Sequence, residues 1–321
     1  MKVLVTGGAG FIGSNLVQAL LNDDRITAVK VLDNLETGRF ANISNCKSHS
    51  RFEFIEGDIR DHAICLGAAE GIDIILHQAA LGSVPRSVKD PITTHEVNAT
   101  GTLNIFNAAR EANVKRVVYA ASSSTYGDHP GLPKVEDKIG SPVSPYGVTK
   151  LVNELYAKVF SQLYQMEFIG LRYFNVYGPH QNPAGPYAAV IPLFIKSILS
   201  DQSPVINGTG DTSRDFTFVA DVVQANLLAM FTENTAALNQ VYNIAKGEQT
   251  TLNELFEMLK KISGKKINAI HGPERSGDIK HSLADISKAK RLLGYDPSTS
   301  PLDGLRKTFE WYKENSLIFA A

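Results

Sequence analysis

Apolar and polar positions follow two rhythms along the first half of the chain. Short runs rich in β-branched and aliphatic residues fall at Lys2–Thr6, Ala28–Asp33, Arg51–Glu56, Ile72–His77, Arg116–Ala121 and Glu167–Tyr173. Each has the length and composition of a buried strand. Between them, Phe11–Leu21, Ile92–Ala112 and Pro145–Tyr164 repeat apolar residues at helical spacing, the last with Val148, Val152, Leu155 and Val159 on one side. Strands and helices alternating in this way imply βαβ crossovers, hence an α/β fold with a doubly wound parallel sheet covered on both faces.

After Tyr173 the rhythm breaks. Gly178-Pro179 and Asn182–Pro186 read as a loop, and Asn207–Asp211 as a turn. The strand-like Phe216–Val219, helical Asp221–Phe231 and strand-like Val241–Ile244 then resemble a return to the first domain, and three helical patterns follow near Leu252–Ile262, Ser287–Leu293 and Leu302–Tyr312. The expected division is residues 1–173 plus about 214–245 as one domain, with about 174–213 plus 246–321 as a smaller mixed α/β lobe.

Composition closes several doors. The 32 basic and 33 acidic residues leave a net charge of −1, so no global field points to nucleic acid or an anionic membrane. Hydrophobic residues at 43% and charged residues at 20% of the 321 exclude wholesale disorder. Cys46 and Cys65 are the two cysteines, too few for a disulfide scaffold or a cysteine-rich zinc module. The eight histidines are scattered without an H-E-x-x-H pattern, and no metal is expected. Gly7, Gly8, Gly10 and Gly13 interrupt any leader-like apolar stretch, and no run has the length of a membrane span. A cytoplasmic location is the expectation.

The first motif with chemistry follows the first strand. Lys2–Thr6 runs into Gly7-Gly8-Ala9-Gly10-Phe11-Ile12-Gly13 and then a helix. Glycines at this junction allow a sharp turn and close approach of backbone to a pyrophosphate, which the free N–H groups and positive end of the helix attract. Asp33 ends the second strand, where a carboxylate accepts hydrogen bonds from a ribose diol and repels a 2′-phosphate. The pattern predicts a Rossmann-type dinucleotide site that takes NAD in preference to NADP.

Tyr146 and Lys150 form Y-x-x-x-K, a spacing that composition alone yields about 0.7 times by chance. A second match, Tyr242 and Lys246, lies in a strand-like run and does not share a helical face. Tyr146 and Lys150 sit one turn apart on a helix, where an ammonium favours phenolate. Bringing a phenol from about 10 to near neutrality takes roughly 4 kcal/mol, within reach of a lysine plus a cationic nicotinamide ring. Such a tyrosine can act as a general base toward a sugar hydroxyl. Ser122-Ser123-Ser124-Thr125-Tyr126 closes the fifth strand and faces the crevice where such sheets bind ligands.

These residues, together with Asp58-Ile59 and Gln78-Ala79-Ala80, resemble the extended short-chain dehydrogenase/reductase family. Leu171–Gly178 and Ser213–Phe216 are similar to its nucleotide-sugar 4-epimerases, and the likeness spans essentially the whole chain. The resemblance implies a tightly held NAD, a UDP-sugar substrate and a homodimer formed through two helices of the cofactor domain, with no nucleic-acid or membrane partner. It assigns Gly7, Gly10, Phe11, Ile12, Gly13, Asp33, Asn34, Gly38, Asp58, Ile59, Gln78, Ala79, Ala80, Tyr146, Lys150 and Tyr173 to the cofactor. It makes Tyr146 the base at the sugar 4-hydroxyl, Ser122 the hydroxyl sharing that proton, and Lys150 the charge that lowers the tyrosine pKa.

For the substrate the resemblance implies Gly82, Ser83, Ser122, Ser123, Ser124, Asn175, Gln181, Ala189, Val190, Asn207, Arg214, Arg275, Asp278 and Ser282, with the two arginines suited to bidentate phosphate contact. Relatives that dehydrate the sugar carry an Asp-Glu pair just past the first serine; here Ser123-Ser124-Thr125 offers no acid for a C6 leaving group. Galactose-only epimerases carry a bulky tyrosine where this chain has Ser282, so a 2-acetamido group is expected to fit. The expected reaction is UDP-GlcNAc/UDP-GalNAc interconversion, with the uronates or plain hexoses as alternative substrates. A UDP-uronate decarboxylase or 4-reductase on the same scaffold stays open, as does a catalytically silent nucleotide sensor.

Overall fold

The computed structural model describes residues 1–183, 188–274 and 280–315. Its centre is a seven-stranded sheet of β1 (Lys2–Thr6), β2 (Ala28–Asp33), β3 (Phe52–Glu56), β4 (Ile74–His77), β5 (Arg116–Ser122), β6 (Glu167–Tyr173) and β7 (Gln240–Ile244), in the order β3-β2-β1-β4-β5-β6-β7. All pairings are parallel: Val5 lies beside Val31 of β2 on one side and Leu76 of β4 on the other. The order reverses between β1 and β4, so the strands' carboxyl ends open a crevice there.

Alternation along each strand feeds two cores. Val3 and Val5 pack with Leu16, Val17 and Leu20 of the Phe11–Leu21 helix and with Val222 and Ala225 of the Val219–Phe231 helix. Leu4, Ile75 and Tyr119 face the other way, against Ile105, Phe106, Ala157 and Phe160. A third core joins Ile191, Phe194 and Ile195 to Leu255, Phe256, Leu259, Leu305 and Phe309. Residues 219–244 return to the sheet, where β7 extends it beyond β6 from Gln240↔Ile169 to Ile244↔Tyr173.

Three features differ from the periodicity. Ile92–Ala112 is not one helix: Pro91–His95 passes through a π turn at Glu96–Thr100 into Gly101–Glu111. The turn aims the buried Asn98 at Leu81, taking the Leu81 N–H at 2.7 Å and donating to its carbonyl at 3.2 Å. The helix Val190–Leu199 lies in the stretch whose sequence reads as irregular after a Pro/Gly loop, and it carries its own proline, Pro192, near the start. Finally, an apolar helical stripe ordinarily faces the core, yet Val148, Leu155 and Val159 of the Pro145–Tyr164 helix are exposed. Its buried face carries Thr149, Lys150, Asn153 and Glu154. Among the described residues, no helix is long and apolar enough to cross a membrane.

Candidate active site

The glycine turn is built by contacts only glycine permits. Gly7 has φ +68°, and a Cβ there would lie 2.7 Å from Ala79 backbone atoms. At Gly13 a Cβ would stand 2.1 Å from the Gly7 carbonyl oxygen, so the helix start packs directly on the turn. Gly10 is the N-cap of the Phe11–Leu21 helix and supplies no side-chain cap, which leaves the first-turn N–H groups facing a cavity.

That cavity, of about 460 Å³, is lined by Gly7, Gly10, Phe11, Ile12, Gly13, Asp33, Asn34, Asp58, Ile59, Gln78, Ala79, Ala80, Ser122, Ser123, Tyr146, Lys150, Tyr173 and Gln181 among the expected residues. Asp33 accepts from the Ala9 N–H at 2.9 Å and the Leu35 N–H at 2.8 Å. Burial pushes its carboxyl up, with those two bonds opposing. Gly38 does not line the cavity. A Cβ there would sit 3.0 Å from both Asp33 carboxylate oxygens, so it acts by leaving Asp33 room. Asp58 accepts from Arg60 at 2.6 Å and from Asn34 at 3.0 Å, and the Arg60 bond brings it down to about 2.

At the other end of the cavity, β5 delivers Ser122, whose Oγ accepts from the Ser124 N–H at 3.1 Å. Ser144 caps the next helix by accepting from the Gly147 N–H at 3.1 Å, and Pro145 presets its first turn. That start places Tyr146 and Lys150 toward Ser122. Lys150 Nζ donates to the Ala120 carbonyl at 2.8 Å and lies 5.9 Å from the Tyr146 ring centroid. Burial lowers the ammonium to about 8, with the Glu154 charge opposing. The Tyr146 phenol is pushed up by burial, and its hydrogen bond with Ser122 opposes. This direction is the reverse of the lowering expected from the lysine, because loss of solvent outweighs every favourable contact the protein makes to the phenolate.

A second cavity, of about 690 Å³, adjoins the first and shares Gly82, Asn175 and Val176 with it. Ser83, Ala189, Val190, Asn207 and Arg214 of the expected substrate residues line it, with Phe216 of the epimerase-like segment and with Leu252, Glu274 and Lys280 that the sequence reading missed. Arg214 donates to the carbonyls of Ser213 and Lys280 at 2.9 and 3.3 Å. Ser124 and Ser282 line neither cavity, and the Ser282 N–H is bonded to the Ser213 carbonyl at 3.1 Å. Arg275 and Asp278 lie outside the described residues.

Comparison with known proteins decides the family. The model of the NAD dependent epimerase/dehydratase family matches residues 3–245. The chain belongs to this family. It is 37% identical over 318 residues to the UDP-glucose 4-epimerase of Mycolicibacterium smegmatis, covering 98% of this chain and 100% of that protein. Among solved structures it is similar to the UDP-N-acetylglucosamine 4-epimerase from Methanobrevibacter ruminantium, at 40% identity and TM-score 0.92 over 98% of both chains. The UDP-glucuronic acid 4-epimerase from Bacillus cereus, in complex with UDP-glucuronic acid and NAD, matches at 35% identity and TM-score 0.90 over 98% of this chain and 100% of that one.

NAD is accordingly the cofactor of this epimerase/dehydratase-family enzyme, and the cavity fits it. The uncapped helix start suits the pyrophosphate, and Asp33 suits an unmodified ribose. Gln181 Oε1, a buried acceptor without a hydrogen-bond partner, is free to receive a donor. Asn98, which fastens Leu81 beside Gly82, escaped the sequence reading. Its π turn leaves no mark in a helical period; the break at Gly101, whose Cβ would meet Ile59 at 2.7 Å, was the available signal.

Proposed function

We propose that this enzyme is a UDP-sugar 4-epimerase that interconverts UDP-GlcNAc and UDP-GalNAc. Tyr146 takes the proton of the sugar 4-hydroxyl, Ser122 shares it through their hydrogen bond, and Lys150 supplies positive charge one helical turn away. NAD, held by the glycine turn and Asp33, would supply the acceptor and donor for hydride at C4. Burial alone disfavours the Tyr146 phenolate and its bond with Ser122 favours it, so the base depends on the further positive charge that Lys150 would bring. The diphosphate lies in the second cavity near Arg214, a guanidinium suited to phosphate.

The observation that carries the choice of sugar is the space at Gly82. This residue is common to both cavities, and a Cβ built on it meets nothing within 4 Å. We read this open space as room for an acetamido group. The shared residues Gly82, Asn175 and Val176 carry no charge, which favours a neutral sugar over a uronate. The small-residue gate is placed here at Gly82, because Ser282 lines neither cavity. Gly82→Val should cut kcat/KM for UDP-GlcNAc well below that for UDP-Glc, measured side by side. An equal loss for both sugars, or none, rejects the assignment of N-acetylated substrate.

A further inference from the structure

A buried ion pair lies behind Tyr146 and Lys150 and has no part in the chemistry so far. Glu154 follows Lys150 by one turn on the same helix. It receives Arg172 of β6 on both oxygens, at 2.9 and 2.7 Å, and both side chains are less than a tenth exposed. Glu154 Oε1 also accepts from Thr125 Oγ1 at 3.3 Å. Thr125 belongs to the 3-10 turn Ser123–Tyr126, which starts directly after Ser122. One carboxylate therefore ties together the helix carrying Tyr146 and Lys150, the strand β6 and the turn that leaves Ser122. Burying such a pair seldom stabilises a fold more than apolar residues of the same volume would, so its presence under the reactive groups calls for another reason.

We propose that Glu154 is a positioning residue: it holds the Ser122 turn against the Tyr146 helix and supplies the negative charge that keeps the buried Lys150 an ammonium. This inference rests on the roles proposed for Ser122, Tyr146 and Lys150. The groups around Lys150 are few. Tyr146 and Glu154 face it from its own helix, and His77 from β4, where burial brings the imidazole down to about 3 and keeps it neutral. Behind Glu154 stand Arg172 and the Tyr119 phenol, which burial pushes up; Tyr126 and Glu136 face Arg172. Among these described groups, Glu154 is the charge that favours protonated Lys150, and removing it also leaves the Arg172 cation unpaired behind the lysine.

The direct test is trace acetylation of Lys150 across pH, read by mass spectrometry, because it needs no turnover. In Glu154→Gln the midpoint should move to lower pH by roughly one unit. Glu154→Asp, which keeps the charge, should restore it. The double variant Glu154→Gln/Arg172→Met leaves no unpaired ion; its displacement should run in the same direction but be smaller, because the cation leaves with the carboxylate, and it serves if the single variant does not fold. Thr125→Val cuts only the tie to the serine turn, and should lower kcat while leaving KM and the Lys150 midpoint in place. An unmoved midpoint in folded variants overturns the charge role, and full kcat in Thr125→Val overturns the tether. A wild-type protein that epimerises no UDP-sugar would instead reject the proposed function, while the acetylation midpoints still decide the inference about Glu154.

Discussion

Lys150 and Asp215 show how burial sets the behaviour of single side chains here. The Lys150 ammonium, brought from 10.5 to about 8 by burial, is intact below that value and is lost as pH rises through it. Turnover should therefore fall on the alkaline side near pH 8, read as the upper limb of a kcat–pH profile. For stability the sign is the opposite. The unfolded chain holds the extra proton between about 8 and 10.5, so the cost of burying this charge fades as pH rises across that window. Asp215 lies in the epimerase-like segment Ser213–Phe216, yet its contacts are structural. It takes the N–H groups of Lys246 and Gly247 at 2.9 and 3.1 Å and of Ala284 at 3.1 Å, while fully buried. Burial lifts it to about 6 despite those bonds. Asp215→Ala would strand several buried donors at roughly 1–3 kcal/mol each. Denaturant melts should show a loss of that order or more; an unchanged midpoint would show that water replaces the carboxylate.

At the scale of elements, the Pro145–Tyr164 helix is the clearest case of a period read correctly and a face read without its partner. Its bounds follow from Ser144, Pro145 and the apolar repeat. Nothing in that repeat says that the polar residues turn inward to serve the site while Val148, Leu155, Val159 and Leu163 stay exposed. Strands β1, β2 and β6 were legible to the residue, because a buried parallel strand is a continuous apolar run bounded by turn residues. The π turn at Glu96–Thr100 and the Val190–Leu199 helix were not: one breaks a period for the sake of a single Asn98 contact, the other follows a proline-rich loop. We propose that the exposed stripe forms the core of a homodimer, as the family resemblance implies. Leu155→Glu should convert a dimer of the 34.9 kDa chain to monomer in light scattering; a monomeric wild-type protein would refute the proposal.

For the molecule as a whole, the near-zero net charge proves compatible with a polyanionic cofactor and a proposed diphosphate substrate. In the proposed reading recognition is local: a helix start and Asp33 line one cavity, and Arg214 the other. The cofactor half of the site was readable because its residues lie in contiguous motifs at strand ends. The second cavity is less legible, since Leu252, Glu274 and Lys280 come from separate segments that only the fold brings together. The central claim is that these two cavities carry out C4 epimerisation on an N-acetylated UDP-sugar without net oxidation. Purified protein incubated with UDP-GlcNAc, and in parallel with UDP-Glc and the uronate UDP-GlcNAcA, should be followed by anomeric-proton NMR. The expected result is a UDP-GalNAc signal growing from UDP-GlcNAc faster than any epimer from the other two, with no change in total NAD oxidation state. Absence of an epimer from all three sugars, or a product of altered mass, would contradict it.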